Sequence, residues 1–581
     1  MTDGPNLSRR RLLALSSATA GSFALGGIGT AAGADHSREN ETIESHDGTA
    51  IAMTVYKPAG ASADDPVPMI LHSHGWGGSR TNSEGAFGAE LGRGFGVLSF
   101  DQRGHGESGG QAHVQNPKLE GRDVIEVLDY VEDLDWVARS RGSAGPTPEG
   151  RASDPMVFAI GGSYGGAYQL VGAFTETARK GYTRFDALAP QITWFDLSES
   201  LAPEKVVRSA WVAALYGLGA PNVPEFVHRG FAYGVSTGQW PEGEVPGIPD
   251  LDERFFENGP SGFVDEGLTL DVPVLFGQGL TDNLFNLNQA WQNFERALTD
   301  EAREQSAVIG YNGGHALPNA YPPGRPLGAE LGTREGACSV DGSFAETRLQ
   351  FFEAVRDDEG DARDLVGSPY SLTTADGEQC LRLDSLDDRT TLASGIDLGV
   401  SNDGAGSLDI GRTAGIEDRT VAAVDGFPGE YDPETVAAAT EAATAVEETE
   451  GGTAATPTGA GTPVHLELAQ GPLTVGGIPE LTADVTTVGV DQRVFFALSV
   501  GESPPTAQVV QNNMLPLREP EPVVGEHRRV ELPGVAVDVA EGETLYLTLS
   551  AVSDMSFAHG STRTPGSVLL EDLSVDVPLV E

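Results

Sequence analysis

A serine flanked by glycines, directly after an apolar strand-like segment, is the feature that most constrains this chain. Gly161-Gly162-Ser163-Tyr164-Gly165-Gly166 follows residues 156–160 and precedes a helix-compatible stretch. A sharp strand-to-helix turn that exposes a serine brings backbone segments together, so the positions two before and two after must lack side chains. Gly161 and Gly165 meet this requirement. The pattern predicts a nucleophile elbow at Ser163; the alternative is an incidental serine in a chain with 75 glycines.

A serine nucleophile needs a base to take its proton and an acid to orient that base. After a nucleophile elbow the acid and the histidine follow in that order, on loops at the ends of strands. Asp282 follows the apolar segment 272–277, and His315 follows the apolar segment 306–311. We therefore predict Asp282 as the acid and His315 as the base. Asp265 and Asp196 are alternative acids, because loop geometry cannot be read from sequence.

Acyl transfer through a serine also needs hydrogen-bond donors for the oxyanion of the tetrahedral intermediate. One donor is normally the backbone N–H of the residue after the nucleophile, here Tyr164. The second normally lies in the loop after an earlier strand, and residues 69–72 run into a glycine-rich loop of this kind. We predict the main-chain N–H groups of Gly75 and Trp76 as these donors.

The same loop contains His72 and His74, and a His-Xaa-His pair at a strand end also occurs in metal sites. A hydrolytic metal site normally needs further ligands close by. The chain has neither a His-Glu-Xaa-Xaa-His motif nor a cysteine ligand set. The sequence therefore predicts no metal and no other cofactor.

The charge balance is strongly acidic, with 86 Asp and Glu residues against 36 Lys and Arg residues and a formal net charge of -50. This excludes a basic surface for nucleic acid or for an acidic partner. The acidic residues are spread along the whole chain, and lysines are few. Such a composition is typical of a protein that stays hydrated in concentrated salt, so it indicates a halophilic source.

The first residues predict export. Arg9-Arg10-Arg11 opens a run of small and apolar residues that continues to Ala32, which is typical of a twin-arginine signal at residues 1–34. An extracellular or cell-surface location follows from this prediction. An oxidising exterior permits a disulfide between Cys338 and Cys380, the two cysteines of the chain, and two free buried thiols are the alternative. Such a disulfide would join the end of the first predicted domain to the start of the second.

Two domains are expected from the length of 581 residues and from a change of pattern along the chain. Strand-like and helix-like segments alternate over residues 40–357, which predicts an α/β domain with a largely parallel sheet. Aromatic and Pro/Gly-rich pieces at about 197–266 predict a lid insertion. Short strand-like segments over residues 367–581 predict a β-sandwich, interrupted by a low-complexity insertion at about 435–462.

Three segments together resemble the Xaa-Pro dipeptidyl-peptidase and cocaine-esterase family of α/β-hydrolases. They are residues 161–166, residues 101–110 (Asp-Gln-Arg-Gly-His-Gly-Glu-Ser-Gly-Gly) and residues 279–285 (Gly-Leu-Thr-Asp-Asn-Leu-Phe). The resemblance implies an α/β-hydrolase fold with a helical lid and a jelly-roll C-terminal domain. Together with the acidic, lysine-poor composition, it leads us to expect a haloarchaeal source. The positions that match the family triad are Ser163, Asp282 and His315, and residues 101–108 match a structural loop beside the site.

One position departs from the family. Its members typically have a tyrosine that donates to the oxyanion in the loop where this chain has His74-Gly75-Trp76.

The resemblance implies a serine hydrolase working through an acyl-enzyme, with a dipeptide cut after proline as the leading substrate and a small acyl ester as the alternative. A surface-binding protein with an inactive hydrolase domain is a further alternative. The lid carboxylates Glu199, Glu204 and Glu225 are candidate anchors for a peptide amino terminus. The oligomeric state is not predicted.

Overall fold

The computed structural model describes residues 36–140, 154–317, 322, 324, 336–403, 463–556 and 565–580. The predicted signal at residues 1–34 and the predicted low-complexity insertion at 435–462 lie outside the described residues. Over the ranges that the structure does describe, no helix has both the length and the apolar character needed to cross a membrane.

A ten-stranded mixed sheet forms the centre of the N-terminal region, in the order β1-β2-β4-β3-β5-β6-β7-β8-β9-β10. The neighbouring strands from β4 to β9 are parallel, and the strands at both ends of the sheet are antiparallel to their neighbours. The strands are β1 (His36–Glu44), β2 (Ala50–Pro58), β3 (Met69–Ser73), β4 (Gly96–Phe100), β5 (Val157–Gly162), β6 (Phe185–Gln191), β7 (Leu275–Gly279), β8 (Ala307–Tyr311), β9 (Tyr370–Thr373) and β10 (Cys380–Leu383).

Helices cover both faces of this sheet, which is why its central strands are apolar along their whole length. Successive side chains of a strand point to opposite faces: Leu71 belongs to the core on one face and Ile70 to the core on the other. The helices outside the β6–β7 interval are α1 (Gly88–Gly92), α2 (Glu120–Glu132), α3 (Tyr164–Lys180), α9 (Leu287–Arg296), α10 (Asp300–Glu304), α11 (Phe344–Asp357) and α12 (Ala362–Val366).

The interval between β6 and β7, predicted as an insertion at about 197–266, contains five helices. They are α4 (Leu197–Leu201), α5 (Ser209–Gly219), α6 (Glu225–Thr237), α7 (Leu251–Glu257) and α8 (Pro260–Asp265). Their apolar side chains form a separate core around Trp211 that also includes Trp76 and Tyr164 from the sheet domain. The insertion therefore packs over the carboxyl ends of the sheet strands.

The predicted boundary between the two domains, at residues 357–367, is wrong. β9 pairs in parallel with β8, and β10 pairs with β9, so the sheet of the first domain continues to Leu383. Both strands have four residues. In the sequence, two such short strands cannot be told from the first strands of an all-β domain. Cys380 at the start of β10 forms a disulfide with Cys338, with the two Cα atoms 5.0 Å apart. The bond lies within the first domain, whereas we expected it to join the two.

Within residues 390–403, 463–556 and 565–580, which are the parts of the C-terminal region that the structure describes, the regular structure is β apart from short single-turn helices. Its strands are β11 (Thr390–Asp403), β12 (Val464–Gln470), β13 (Leu473–Gly477), β14 (Glu480–Val488), β15 (Gln492–Gly501), β16 (Gln508–Val509), β17 (Leu515–Glu519), β18 (Glu526–Glu531), β19 (Val535–Val539), β20 (Thr544–Ser550), β21 (Pro565–Val577) and β22 (Leu579–Val580). They form sheets of four, five and three strands. Leu481 and Leu570 from the first sheet share one apolar core with Phe496 and Leu547 from the second.

We expect the disulfide to stabilise the native state. Replacing Cys338 and Cys380 together by serine should lower the free energy of unfolding by about 2–4 kcal/mol, because the bond closes a long loop in the unfolded chain. Urea unfolding monitored by tryptophan fluorescence measures this change. Wild-type protein in the presence of a reducing agent is the control and should match the double variant; an unaltered wild-type transition under reduction would contradict the prediction.

Candidate active site

Ser163 lies at a sharp turn between the end of β5 and the start of α3. Its backbone angles are φ 57° and ψ -123°, a conformation that residues with a side chain rarely adopt. The turn is crowded: a Cβ at Gly161 would lie 2.3 Å from the Gly165 carbonyl oxygen, and a Cβ at Gly165 would lie 2.4 Å from that of Ser73. This crowding is the reason that neither position has room for a side chain.

One hydrogen bond to the neighbouring strand β6 and one to the first turn of α3 hold this unfavourable backbone in place. The Ser163 N–H donates to the Gln191 carbonyl at 2.9 Å, and the Ser163 carbonyl accepts from the Gly166 N–H at 2.8 Å. Residues held in such conformations cost on the order of 1–3 kcal/mol each and are concentrated at functional sites. The surrounding sheet and helix therefore impose the position of the Ser163 hydroxyl.

Asp282 is fully buried in the loop after β7, where three backbone N–H groups and the His315 ring surround its carboxylate. Oδ1 accepts from the backbone N–H groups of Leu284 at 3.0 Å and Phe285 at 2.7 Å. Oδ2 accepts from the backbone N–H of His315 at 2.9 Å and lies 2.7 Å from its Nδ1. A buried carboxylate is tolerated only with such compensation. The structure thus brings together the predicted acid and the predicted base.

The two alternative acids lie elsewhere. Asp196 caps the N-terminus of α4, where its carboxylate accepts from the Glu199 N–H at 3.0 Å. Asp265 is the last residue of α8. The contact with His315 therefore selects Asp282 among the three aspartates considered.

His315 is fully buried in the loop after β8, between two aromatic rings. The rings of Phe285 and Trp211 meet the imidazole edge-on, with centroids 5.1 Å and 5.9 Å away. The preceding residue has to be glycine, because Gly314 has φ 99° and its added Cβ would lie 2.7 Å from Asp282 Cβ. Nδ1 of the imidazole faces Asp282, which is the contact that the predicted triad places between acid and base.

Side chains that sequence reasoning did not assign join the acid loop to the base loop. The Thr281 hydroxyl donates to the Gly313 carbonyl and accepts from the Gly313 N–H, both at 2.9 Å. The Asn283 amide donates to the Leu317 carbonyl at 2.7 Å and accepts from its N–H at 3.1 Å. Thr281 and Asn283 flank Asp282 in the segment 279–285, which resembles the family. This motif was the signal from which their role beside the acid could have been inferred.

Ser163, Asp282 and His315 follow β5, β7 and β8, three strands of the parallel part of one sheet. Parallel strands end at the same edge, so all three side chains are at the carboxyl edge of the sheet, where α/β proteins place their sites. The structure thereby agrees with the order and strand-end placement predicted from sequence. Proton transfer between Ser163 and His315 stays a prediction.

The predicted oxyanion donors lie around the same turn. Tyr164 is the first residue of α3, and the first N–H groups of a helix have no partner within it and lie at its positive end. The loop of Gly75 and Trp76 is directly beside the elbow, since a Cβ at Gly165 would also lie 3.0 Å from the His74 carbonyl oxygen. The Trp76 indole N–H donates to the Leu215 carbonyl at 2.8 Å. The indole is therefore engaged with the insertion, and the main-chain N–H groups of this loop remain the predicted donors.

His72 and His74 have protein partners for their ring nitrogens. Nδ1 of His72 lies 2.9 Å from the Ser99 hydroxyl. Nδ1 of His74 lies 2.8 Å from the Gly75 carbonyl, and its Nε2 accepts from the Gln102 N–H at 3.1 Å. Burial lowers the pKa of His72 to about 3 and that of His74 to about 4, so both are neutral near pH 7. They pack and brace the loop.

Residues 101–108, which resemble a structural loop of the family, brace this part of the site. The fully buried Asp101 forms an ion pair with Arg80 and accepts from the Glu107 N–H at 2.9 Å. The Arg103 guanidinium donates to both carboxylate oxygens of Asp123, at 2.9 Å and 2.7 Å. These bonds connect the loop after β4 to the loop between β3 and α1 and to α2, and the charges of Asp101 and Arg103 are compensated.

A cavity of about 160 Å³ extends from Ser163 into the insertion. Aromatic and aliphatic side chains form its walls, with Trp76, Trp194 and Phe285 near the sheet and Phe231 and Trp240 in the insertion. Among the described residues that line it there is no Asp, Glu, Lys, Arg or His. The cavity therefore suits an uncharged, apolar group.

The three lid carboxylates named as peptide anchors are outside this lining. Glu199 and Glu204 line a second, polar cavity between the insertion and the C-terminal region, together with Arg208. Glu225 is exposed, and its carboxylate accepts from Arg229 at 3.0 Å. None of the three lines the cavity beside Ser163.

Comparison with known proteins relates the chain to hydrolases. The sequence model of the X-Pro dipeptidyl-peptidase (S15) family matches residues 47–224. The uncharacterized protein YcjY of Escherichia coli (strain K12) is 28% identical over 120 residues, which are 19% of this chain and 39% of that protein. The chain thus matches well under half the length of this relative.

Solved structures share the fold over almost the whole chain. A CocE/NonD family hydrolase from Staphylococcus aureus is 12% identical with a TM-score of 0.58, covering 94% of both chains. An aminopeptidase from a marine sediment Thaumarchaeota archaeon is 13% identical with a TM-score of 0.60, covering 96% of this chain and 99% of that one. An α-amino acid ester hydrolase is 11% identical with a TM-score of 0.55, covering 97% and 100%. The architecture is therefore of the α/β-hydrolase type, followed by an all-β region.

We expect Trp76→Phe to retain most activity. The change removes the hydrogen bond to Leu215 and some packing, which should lower the free energy of unfolding by about 1–2 kcal/mol. If the main chain supplies the oxyanion donors, kcat for a nitrophenyl ester should fall less than about fivefold. Losing a true oxyanion donor costs about 10²–10³-fold in kcat, so a fall of that size would assign the donor to the indole.

Proposed function

We propose that the protein is a serine hydrolase that works through an acyl-enzyme on carboxylic esters with an apolar acyl group. The observation that carries the proposal is the apolar cavity that begins at Ser163, at the sheet edge where Asp282 and His315 are hydrogen-bonded. The family match over residues 47–224 supports hydrolysis as the reaction class.

The reaction would proceed in two acyl transfers. The Ser163 hydroxyl oxygen attacks the ester carbonyl carbon while His315 takes the hydroxyl proton, and Asp282 holds the imidazole in orientation and stabilises its cation. The oxyanion accepts from the N–H of Tyr164 and from the loop of Gly75 and Trp76. The C–O bond to the alcohol breaks as His315 returns the proton to the leaving oxygen. Water then attacks the acyl-enzyme by the same route and releases the acid.

A peptidase that removes dipeptides after proline, which the sequence favoured, is the second candidate. The family match supports it. Such an exopeptidase needs a negative group for the free amino terminus, and the described lining of the cavity offers none. Burying an unpaired ammonium in apolar surroundings is strongly unfavourable. The charge of the cavity therefore favours the ester over the dipeptide.

The proposal includes export into an oxidising and salty environment. The disulfide between Cys338 and Cys380 supports an extracellular or cell-surface location, because such bonds persist outside the cytosol. The paired arginines near the start of the chain support the twin-arginine route, and the net charge of -50 supports a halophilic source.

Ser163→Ala should abolish turnover and leave the fold intact. We expect kcat to fall by at least about 10⁴-fold, because no other group replaces the nucleophile. Ser200→Ala, which alters another buried serine away from the triad, is the matched control and should stay within about twofold of wild type. Retained activity in purified Ser163→Ala protein, or a folded wild type that resists fluorophosphonate labelling, would contradict the proposal; the latter result would favour a surface-binding protein.

The uncharged cavity predicts a substrate preference. For nitrophenyl esters, kcat/KM should rise from acetate to hexanoate by about tenfold or more, because each buried methylene contributes about 0.8 kcal/mol. An Xaa-Pro-anilide should be cleaved at least about 100-fold less efficiently than the better ester. The reverse order, with the anilide preferred, would establish the peptidase alternative.

A further inference from the structure

Three consecutive amides of the all-β region reach into the base of the candidate active site. Gln511, Asn512 and Asn513 lie between β16 and β17, and each is at most 3% exposed. We call them the amide clasp. Gln511 and Asn512 have φ values of 45° and 61°, a left-handed backbone that side chains normally avoid. This turn directs all three side chains toward the first domain, where each donates a hydrogen bond.

Asn513 contacts the acid loop. Its side-chain amide donates to the backbone carbonyl of Asp282 at 3.0 Å and to that of Leu280 at 3.3 Å. The carboxylate of Asp282 is occupied by His315 and by two backbone N–H groups, so the clasp binds this residue from its main-chain side. The side-chain amide of Asn513, which belongs to the all-β region, thus fixes the main chain at Asp282.

Gln511 and Asn512 contact the base loop. The Gln511 amide nitrogen donates to the Asn312 side-chain oxygen at 3.1 Å, and its own oxygen accepts from the Ala536 N–H at 2.9 Å, inside the β region. The Asn512 amide donates to the Leu317 carbonyl, which also accepts from Asn283 of the acid loop. Asn312 and Leu317 lie three residues before and two residues after His315.

We propose that the amide clasp positions the Asp282–His315 pair, so that the all-β region supplies part of the active-site scaffold. This inference rests on the proposed function. The clasp residues are positioning residues: they donate hydrogen bonds to the acid loop and the base loop, and they are not among the described residues that line the cavity. A displacement of about 1 Å in a catalytic group costs on the order of 10²-fold in rate, so the alignment of the two loops limits the chemical step.

Asn288 provides a matched control. It is a buried asparagine that also joins the two regions: its amide donates to the Leu532 carbonyl at 3.1 Å and its oxygen accepts from the Gly534 N–H at 2.8 Å. It lies on α9, the helix that follows the acid loop, and its two hydrogen bonds to the all-β region involve neither the acid loop nor the base loop. Asn288→Ala and Asn513→Ala therefore remove the same kind of interdomain bond and differ in whether an active-site loop is attached.

The test compares full-length wild type, Asn513→Ala, Gln511→Leu and Asn288→Ala. We expect both clasp variants to lose about 10–100-fold in kcat for a nitrophenyl ester with KM within about twofold, and to react with a fluorophosphonate correspondingly more slowly. Asn288→Ala should lose less than about threefold in kcat at a similar decrease in melting temperature. If Asn513→Ala does not fold, Asn513→Ser, which keeps a shorter donor, replaces it with a smaller expected loss of about 5–20-fold.

Either of two results would overturn the inference: clasp variants with wild-type kcat and labelling rate, or a loss of kcat in Asn288→Ala equal to that in the clasp variants at equal stability. The second result would give the clasp a purely structural role. Failure of the proposed function itself is recognised separately, since it requires that Ser163→Ala keeps its activity or that wild type hydrolyses no ester.

Discussion

The buried carboxylate of Asp282 is the constraint on which the arrangement of the site depends. A charge with no solvent exposure is stable only if donors surround it, and here backbone N–H groups from the acid loop and the base loop provide them together with the His315 ring. These donors have to converge on two oxygen atoms, so the loops after β7 and β8 cannot move independently. Their further bonds, through Thr281 and Asn283, follow from the same requirement.

The sheet makes this convergence possible. Parallel strands deliver successive loops to one edge, and the close packing of Gly161 and Gly165 sets the serine at that edge with its backbone held in an unfavourable conformation. Aromatic side chains of the insertion cover the space above Ser163. The all-β region binds the loops after β7 and β8 through the amide clasp. The sheet, the insertion and the all-β region thus all contribute residues to the candidate active site.

Sequence patterns predicted the features that depend on local chemistry. The central strands are apolar on both faces, so β3, β5 and β8 were predicted close to their observed places, and glycine spacing marked the elbow. β1 was missed because its side chains are mostly exposed and polar, and its partner β2 supplies the buried positions. β9 and β10 were assigned to the wrong domain because four residues cannot reveal which sheet they join. The amide clasp depends on residues about 200 positions from His315 in the chain, and no local pattern marks such a contact.

The absence of charge among the described residues that line the cavity bears on how a carboxylate product would be released from it. The proposed hydrolysis of an ester would convert a neutral molecule into a carboxylate within a protein whose formal net charge is -50. A neutral substrate would enter without electrostatic opposition, whereas the negative field of the protein would repel the anionic product, and the described lining offers no cation to retain it. The charge distribution would therefore favour release of the acid from the cavity, most strongly at low ionic strength and less so as salt screens the field.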